Sequence, residues 1–302
     1  MTKSGWLLAA ALLFSGIAQA ADEQPLLRIG ARVFTEQTVL ATLTSKYLAT
    51  KGFRTEITGG LGSNIARSAQ ESGQLDLLWE YTGVSLVSYN HVNEKLDSDA
   101  TYARVKALDA QKGLVWLAPS KFNNTYALAF PDTVAQRYPE VNTISQLNEL
   151  VKREKDEDHV LALDTEFANR PDGLVGLTQA YDLAFDRRDI RQMDAGLVYT
   201  ALRNGQVFTG LVYTTDGRLD AFKLKVLEDD RHYFPDYTAA PVVRKAVLDQ
   251  HPELATLLKP LAELLDNATM RQLNARVDVD HENPGAVADA FLAQHPELKE
   301  AK

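Results

Sequence analysis

Apolar and polar positions along the chain follow two alternating patterns. Short runs rich in Val, Ile and Leu predict strands, and they are separated by stretches in which apolar residues recur at helical spacing. The clearest helix is predicted over residues 35–51, where Val39, Leu40, Leu43, Tyr47 and Leu48 share one face. Strands that alternate with helices indicate α/β units with largely parallel sheets. The predicted strands cover residues 26–30, 54–58, 75–79, 114–117, 126–130, 160–163, 207–212 and 224–227.

The order of these elements suits two α/β lobes joined by two chain crossings. From residue 241 onward the pattern is helical, with Pro252, Pro260 and Pro284 near the predicted helix starts. We place the crossings near residues 123–125 and 227–231. Lobe 1 would then comprise residues 21–124 and 229–302, and lobe 2 residues 125–228. A cleft between two lobes is a natural ligand site, and short crossings can act as hinges.

The first twenty residues have the three parts of a secretory signal peptide. Lys3 supplies a positive charge, residues 6–14 form a short apolar core, and Ala18-Gln19-Ala20 is a small-residue cleavage site. The apolar core is shorter than the roughly 20 residues that span a bilayer. The chain contains no cysteine, which excludes disulfides and a lipid-modified cysteine anchor. We therefore expect export of an unanchored mature protein into a Gram-negative periplasm.

Charge and motifs exclude several classes of function. The formal net charge of −9 becomes −10 once Lys3 is removed, and an acidic surface disfavours nucleic acid and anionic membranes as partners. The sequence has no G-x-S-x-G nucleophile elbow and no H-E-x-x-H zinc helix. Its six histidines are scattered, with none paired at metal-ligand spacing. We therefore predict no catalytic residue, no metal site and no cofactor.

A glycine-rich segment, GGLGSN at residues 59–64, opens a predicted helix over residues 64–72. It lacks the Lys-Ser/Thr pair of a phosphate-binding loop and does not match G-x-G-x-x-G. One interpretation is a tight strand-to-helix turn that Ser63 or Asn64 caps. The other is that the backbone N–H groups of this helix start hold an anion or a polar group in the cleft.

Four tyrosines stand apart from the core pattern because they lie at strand ends and in turns. Tyr81 follows the strand predicted over residues 75–79, and Tyr126 follows the polar run at residues 123–125. Tyr213 ends the strand predicted over residues 207–212, and Tyr237 lies in the proline turn FPDY. Ligand sites in α/β folds gather where strands end and loops begin. A tyrosine at such a position more often serves packing than recognition, so packing is the default interpretation for each of the four taken singly.

Several short segments spread along the chain form a recognisable set. They are IGARVFTEQ at residues 29–37, DLLWEYTG at 76–83, NNTYAL at 123–128, YTTDGR at 213–218, and FPDY at 234–237 with APVV at 240–243. With these segments, which span nearly the whole mature chain and occur in the order of the family, the sequence resembles the osmoprotectant-binding proteins of ABC importers that take up glycine betaine, choline, carnitine and related compounds.

The resemblance implies a type II periplasmic-binding-protein fold, an α/β fold whose two lobes close on the ligand. It places the aromatic box of the family on Tyr81, Tyr126, Tyr213 and Tyr237. Such a box suits a trimethylammonium group, which has no N–H to donate and whose diffuse charge is attracted to aromatic faces. The partners implied are a small quaternary-ammonium ligand and the permease and ATPase subunits of an ABC importer, with the binding protein a monomer.

The resemblance also implies polar contacts with the ligand. Arg32 and Arg170 fall where the family places cationic or donor residues, and an arginine can hold a carboxylate through two parallel N–H bonds. We expect Gln37, Asn124 and Thr82, which lie in the matching segments, to add polar contacts.

The chain departs from its relatives at one position near the predicted box. It has Val84 where relatives often have a threonine that can donate to a ligand carboxylate. Such a loss could weaken betaine binding or favour a ligand without a carboxylate, such as choline.

Two alternatives to this function remain at the sequence level. The first is a receptor for another small solute, such as an amino acid or an organic anion, although an anion alone gains nothing from an electron-rich box. The second is a secreted enzyme on the same two-lobed fold, because a fold alone does not fix a function. The missing nucleophile, metal set and general-base pair argue against an enzyme.

Overall fold

A computed structural model describes residues 26–154 and 159–300 of the chain. The signal peptide predicted for residues 1–20 lies outside the described residues. Within them, no helix combines the length and the apolar character that crossing a bilayer requires.

The described ranges contain ten strands divided between two five-stranded sheets. In chain order the strands are β1 Leu26–Arg32, β2 Arg54–Leu61, β3 Leu77–Tyr81, β4 Leu114–Trp116, β5 Tyr126–Phe130, β6 Leu161–Asp164, β7 Ile190–Met193, β8 Thr209–Tyr213, β9 Lys225–Leu227 and β10 Ala239–Arg244.

Helices connect the strands and cover the sheets. In chain order the α-helices are α1 Thr35–Thr50, α2 Ser63–Glu71, α3 Ser98–Ala110, α4 Asp132–Arg137, α5 Ile144–Arg153, α6 Thr165–Asn169, α7 Leu174–Tyr181, α8 Ala195–Arg203, α9 Arg218–Ala221, α10 Lys245–Leu248, α11 Glu253–Leu264, α12 Asn267–Asp278, α13 Pro284–Gln294 and α14 Glu297–Glu300. A π-helical turn spans Val84–Tyr89, and a 3₁₀ turn spans Arg187–Asp189.

The two sheets have the same topology. The first has the strand order β2-β1-β3-β10-β4, and the second has the order β7-β6-β8-β5-β9. In each sheet the first three strands are parallel, and the last two pair antiparallel with their neighbours. We call the part of the chain around the first sheet lobe 1 and the part around the second sheet lobe 2.

The antiparallel pairs correct the expectation of largely parallel sheets. Strand β5 follows the passage of the chain from the first sheet to the second, and β10 follows the passage back. A strand that enters a sheet from the side of the other lobe starts at the edge where the parallel strands end, so it must run in the opposite direction. Accordingly, Tyr126 at the start of β5 pairs with Tyr213 at the end of β8.

All eight strands predicted from the sequence are present, with ends shifted by a few residues. Strand β10 was not predicted, because Pro241 made residues 241–244 look like a helix start. Proline is unusual between two neighbouring strands because it cannot donate to the ladder. Here its carbonyl oxygen still accepts from the Leu117 backbone N–H. Strand β7 was also missed, since its IRQM sequence has little apolar character.

The glycine-rich segment ends at a helix without a side-chain cap. Helix α2 begins at Ser63 with Gly62 as the preceding residue, and no side chain caps its first N–H groups. The predicted cap by Ser63 or Asn64 is therefore wrong. Pro260 corrects a second expectation, because it lies inside α11 and not at a helix start.

Candidate ligand-binding cleft

A small cavity of about 30 Å³ lies between the facing edges of the two sheets. All four predicted box tyrosines line it, together with both predicted arginines. The complete lining is Arg32, Phe34, Ser63, Tyr81, Val84, Asn124, Tyr126, Glu166, Arg170, Tyr213 and Tyr237.

Strand register brings the tyrosines to this edge. Tyr81 is the last residue of β3, and it pairs with Ala239 at the start of β10, two residues after Tyr237. In the other sheet, Tyr126 at the start of β5 pairs with Tyr213 at the end of β8. The sequence therefore places one pair of tyrosines on the cleft edge of each lobe.

The rings form one connected aromatic group. The Tyr126 centroid lies 5.1 Å from that of Tyr213 and 5.2 Å from that of Tyr237. Phe34, from the segment before α1, stacks on Tyr213 at 6.2 Å with an interplanar angle of 15° and lies 6.2 Å from Tyr81. Such a concave group of rings can attract a cation through several faces at once.

Buried carboxylates hold three of the four tyrosine hydroxyls. Tyr213 donates to Asp164 at 2.9 Å, Tyr237 donates to Asp172 at 2.5 Å, and Tyr81 donates to Glu36 at 2.6 Å. Burial raises the pKa of each of these tyrosines well above its usual value. The hydroxyls therefore stay neutral, and their bonds fix the orientation of each ring around the cavity.

Each arginine of the cavity wall already has an acidic partner. Arg32 pairs with Glu80, and both side chains are buried. Arg170 binds Asp172 through two N–H groups and has Glu166 at 3.8 Å. The Arg170 guanidinium also lies 5.7 Å from the Tyr126 ring centroid. The wall is therefore not a basic pocket, because its two cations are balanced by nearby carboxylates.

The other three predicted polar residues take different positions. Asn124 lines the cavity and donates to Glu36 at 2.8 Å. Gln37 lies behind the wall, where it donates to the Trp79 carbonyl oxygen at 3.0 Å and to the Tyr81 hydroxyl at 3.2 Å. Thr82 is also outside the lining, since its hydroxyl donates to the Asp236 carbonyl oxygen at 2.9 Å.

Sequence reasoning missed three residues of the site. Phe34 and Glu166 line the cavity, and Glu36 binds two of its wall residues. Ser63 also lines the cavity, and it belongs to the helix start that one interpretation of the glycine-rich segment placed in the cleft. Phe34 and Glu36 belong to the IGARVFTEQ segment, so that segment was the available signal for them. Nothing in the sequence marked Glu166 as a site residue, because acidic residues are common in the first turn of any helix. Val84 lines the cavity as well, three residues after Tyr81.

Contacts between the lobes also occur around a second cavity, which Tyr213, Arg218 and Asp278 line. Arg218 of lobe 2 lies 3.4 Å from the carboxylate of Asp278 in lobe 1, which also accepts a hydrogen bond from Thr35 of its own lobe at 2.6 Å. A Cβ atom at Gly217 would come within 2.4 Å of the Ala275 Cβ on α12. The loop after β8 thus packs closely on α12, which brings the lobes together beside the cavity.

The described residues contain no group of three or more His, Cys, Asp or Glu side chains that could hold a metal ion. The cavity wall consists mainly of aromatic rings, paired charges and the Asn124 amide.

Two α/β lobes with a cleft lined from both sides define the class of two-lobed substrate-binding proteins. A family model described as the substrate binding domain of the ABC-type glycine betaine transport system matches residues 25–294. The chain belongs to this family.

Individual relatives agree with this assignment. The chain is 53% identical over 299 residues to a glycine-betaine-binding protein of Pseudomonas aeruginosa, with 98% of this chain and 94% of the relative covered. It is 31% identical to the carnitine transport binding protein OpuCC of Listeria monocytogenes, over 89% of this chain and 86% of the relative. A crystal structure of a glycine betaine/carnitine/choline ABC transporter protein matches at 29% identity with a TM-score of 0.74, covering 90% and 99% of the two chains.

Proposed function

We propose that this chain is the solute-binding subunit of an ABC importer and captures quaternary-ammonium osmoprotectants such as glycine betaine, choline or carnitine. The observation that carries the proposal is the aromatic box, defined as Tyr81, Tyr126, Tyr213 and Tyr237, which surrounds one cavity with rings from both lobes. A cation without N–H groups is bound best by such faces, each contributing on the order of 0.5–2 kcal/mol when water is excluded.

The charges of the wall support a cationic or zwitterionic ligand over a simple anion. Arg32 and Arg170 are paired with Glu80 and Asp172, and Glu166 adds a further carboxylate at the wall. An anionic solute would have to compete with these carboxylates for the guanidinium groups. A ligand carboxylate attached to a trimethylammonium group could share Arg170 with Asp172 while the cation occupies the box.

The ligand would act by favouring the closed arrangement of the lobes. Because each lobe contributes rings to the box, a ligand between them contacts the closed form more fully than the open form and shifts the population toward it. The proposed boundaries are residues 21–124 and 229–302 for lobe 1 and residues 125–228 for lobe 2. The hinges are the two segments that join the sheets, which an isolated bridge between Asn123 and Thr238 ties together.

The remaining parts of the proposal concern the setting of the protein. We propose that it is exported to the periplasm, remains without a lipid anchor, and delivers its ligand as a monomer to permease and ATPase subunits. Binding would proceed without chemical change of the ligand. The family described above supports a transport role.

Calorimetric titration of the ligand-stripped protein with glycine betaine, choline and carnitine tests this function. Saturable binding of at least one of these compounds at a ratio of one per chain is expected. A correctly folded sample that gives no heat with any of them would refute the proposal, and a screen of amino acids and organic anions would follow.

A further inference from the structure

The carboxylate of Glu36 is buried between the lobes without a cationic partner. Glu36 is the second residue of α1, and the residue is 4% exposed. In the described part of the chain, no arginine or lysine forms an ion pair with it, and its partners are neutral donors. Burial raises the pKa of this carboxyl group, although its hydrogen bonds act in the opposite direction. A charge in this position is costly unless several donors satisfy it.

The four donors to Glu36 come from four separate segments. Its Oε1 atom accepts from the Tyr81 hydroxyl at 2.6 Å and from the Asn124 side chain at 2.8 Å. Its Oε2 atom accepts from the Thr215 hydroxyl at 2.5 Å and from the Asn274 side chain at 3.1 Å. Two of these donors come from β3 and α12, and the other two from the crossing before β5 and the loop after β8.

Three of the four donors lie at or beside members of the aromatic box. Tyr81 is itself a box residue, Asn124 precedes Tyr126 by two positions, and Thr215 follows Tyr213 by two positions. One oxygen therefore binds a ring of lobe 1, and the other binds the segment that follows a ring of lobe 2. Because a cation must lie within about 6 Å of each ring to gain from it, the separation of these rings matters for affinity.

We propose that Glu36 is a positioning residue that sets the spacing between the two halves of the aromatic box, through Tyr81 on one oxygen and Thr215 on the other. The inference rests on the proposed function, because spacing affects binding only if the box holds the ligand. Glu36 does not line the box cavity, so it acts through its two partners and not through the ligand.

A double-mutant cycle between Glu36 and Thr215, the two partners of the hydrogen bond that reaches lobe 2, tests the proposal. Glu36→Gln keeps the shape of the side chain but presents an NH₂ group to two of the four donors. Thr215→Val removes the donor on the side of lobe 2. Since a hydrogen bond to a charged group is worth about tenfold or more in an equilibrium constant, each variant is expected to bind choline and glycine betaine about tenfold more weakly. The double variant is expected to lose no more affinity than the single variant that binds the ligand more weakly.

Thr209→Val provides a matched control for Thr215→Val. Thr209 is also a fully buried threonine, but its hydroxyl donates to the Ala129 carbonyl oxygen inside the second sheet. It shares no partner with Glu36, so its effects on binding should be small and additive with those of Glu36→Gln. Circular dichroism and thermal melting of each unliganded variant establish that the samples are folded.

The outcomes separate this proposal from the proposed function. If the natural chain binds a quaternary ammonium and Glu36→Gln binds it within about twofold, or if the effects of the Glu36 and Thr215 variants add, the positioning role is refuted while the function stands. If the natural chain binds none of these compounds, the function itself is refuted. Should Glu36→Gln fail to fold, the milder Thr215→Val alone decides, because unchanged affinity in that variant refutes the role.

Discussion

Replacement of Tyr213 tests whether the box recognises charge or only apolar shape. Tyr213 ends β8, stacks on Phe34 at 6.2 Å and lies 5.1 Å from Tyr126. Tyr213→Leu removes an aromatic face while keeping an apolar side chain at that position. Tyr213→Phe keeps the ring and removes only the hydroxyl that donates to Asp164 at 2.9 Å.

The expected loss follows from the energy of one aromatic face. A desolvated cation–π contact contributes about 0.5–2 kcal/mol, and about 1.4 kcal/mol corresponds to a tenfold change in affinity. Tyr213→Leu should therefore weaken choline binding by roughly 2- to 30-fold. Tyr213→Phe should bind choline nearly as well as the natural chain, because the Asp164 carboxylate keeps its bond from the Phe167 backbone N–H at 2.8 Å.

The decisive assay compares choline with its uncharged carbon isostere, in which a tert-butyl group replaces the trimethylammonium group. Calorimetry on the natural chain and both variants gives the loss of affinity for each of the two ligands. Loss of the aromatic face should weaken choline binding more than isostere binding, because only choline carries the charge. Equal losses for the two ligands in Tyr213→Leu would refute the cation–π reasoning, as would a larger loss in Tyr213→Phe than in Tyr213→Leu.

Three further predictions concern specificity, pH dependence and lobe contact. Val84→Thr restores a donor at the cavity wall and should shift the ratio of betaine to choline affinity toward betaine by about tenfold, which calorimetry measures; an unchanged ratio would contradict it. Burial alone would raise the pKa of the Asp109 carboxyl, but its hydrogen bonds outweigh this cost and lower the pKa. Ionised Asp109 therefore stabilises the fold above about pH 4, and this contribution is lost as the pH falls through the lowered pKa. The difference in unfolding free energy between the natural chain and Asp109→Asn should therefore shrink on acidification, and a constant difference would oppose this. Gly217→Ala should lower the melting temperature because its Cβ would meet Ala275, whereas Gly59→Ala, with open space around it, should not; equal melting temperatures would count against the contact.

The sequence predicted the parts of the structure that local patterns determine. The eight predicted strands are short apolar runs, and the four tyrosines stood out at strand ends and in turns, although their assignment to a ligand box came from the family resemblance. The strand signal depends on a few neighbouring residues, whereas the box assignment depends on matching segments along the chain. The position of β10 could not be read in this way, because Pro241 has a local preference that the surrounding sheet overrides.

The paired charges of the site were also beyond sequence reasoning. Arg170 and Asp172 are two residues apart, yet nothing local shows that Asp172 also accepts the hydroxyl of Tyr237 from the other lobe. Glu36 meets Thr215 across 179 positions of sequence. Such contacts arise only when both lobes are folded and adjacent, so a single sequence gives no pattern for them.

The register of β5 and β8 has a consequence for the timing of capture. Because ladder pairing fixes the backbones of Tyr126 and Tyr213 side by side, lobe 2 presents a preformed half of the box before the lobes close. We expect the association rate to depend mainly on this half, and the residence time of the ligand to depend on Tyr81 and Tyr237, which cover it on closure. Relatives could then lengthen or shorten ligand retention through changes in lobe 1 alone, without slowing the first encounter.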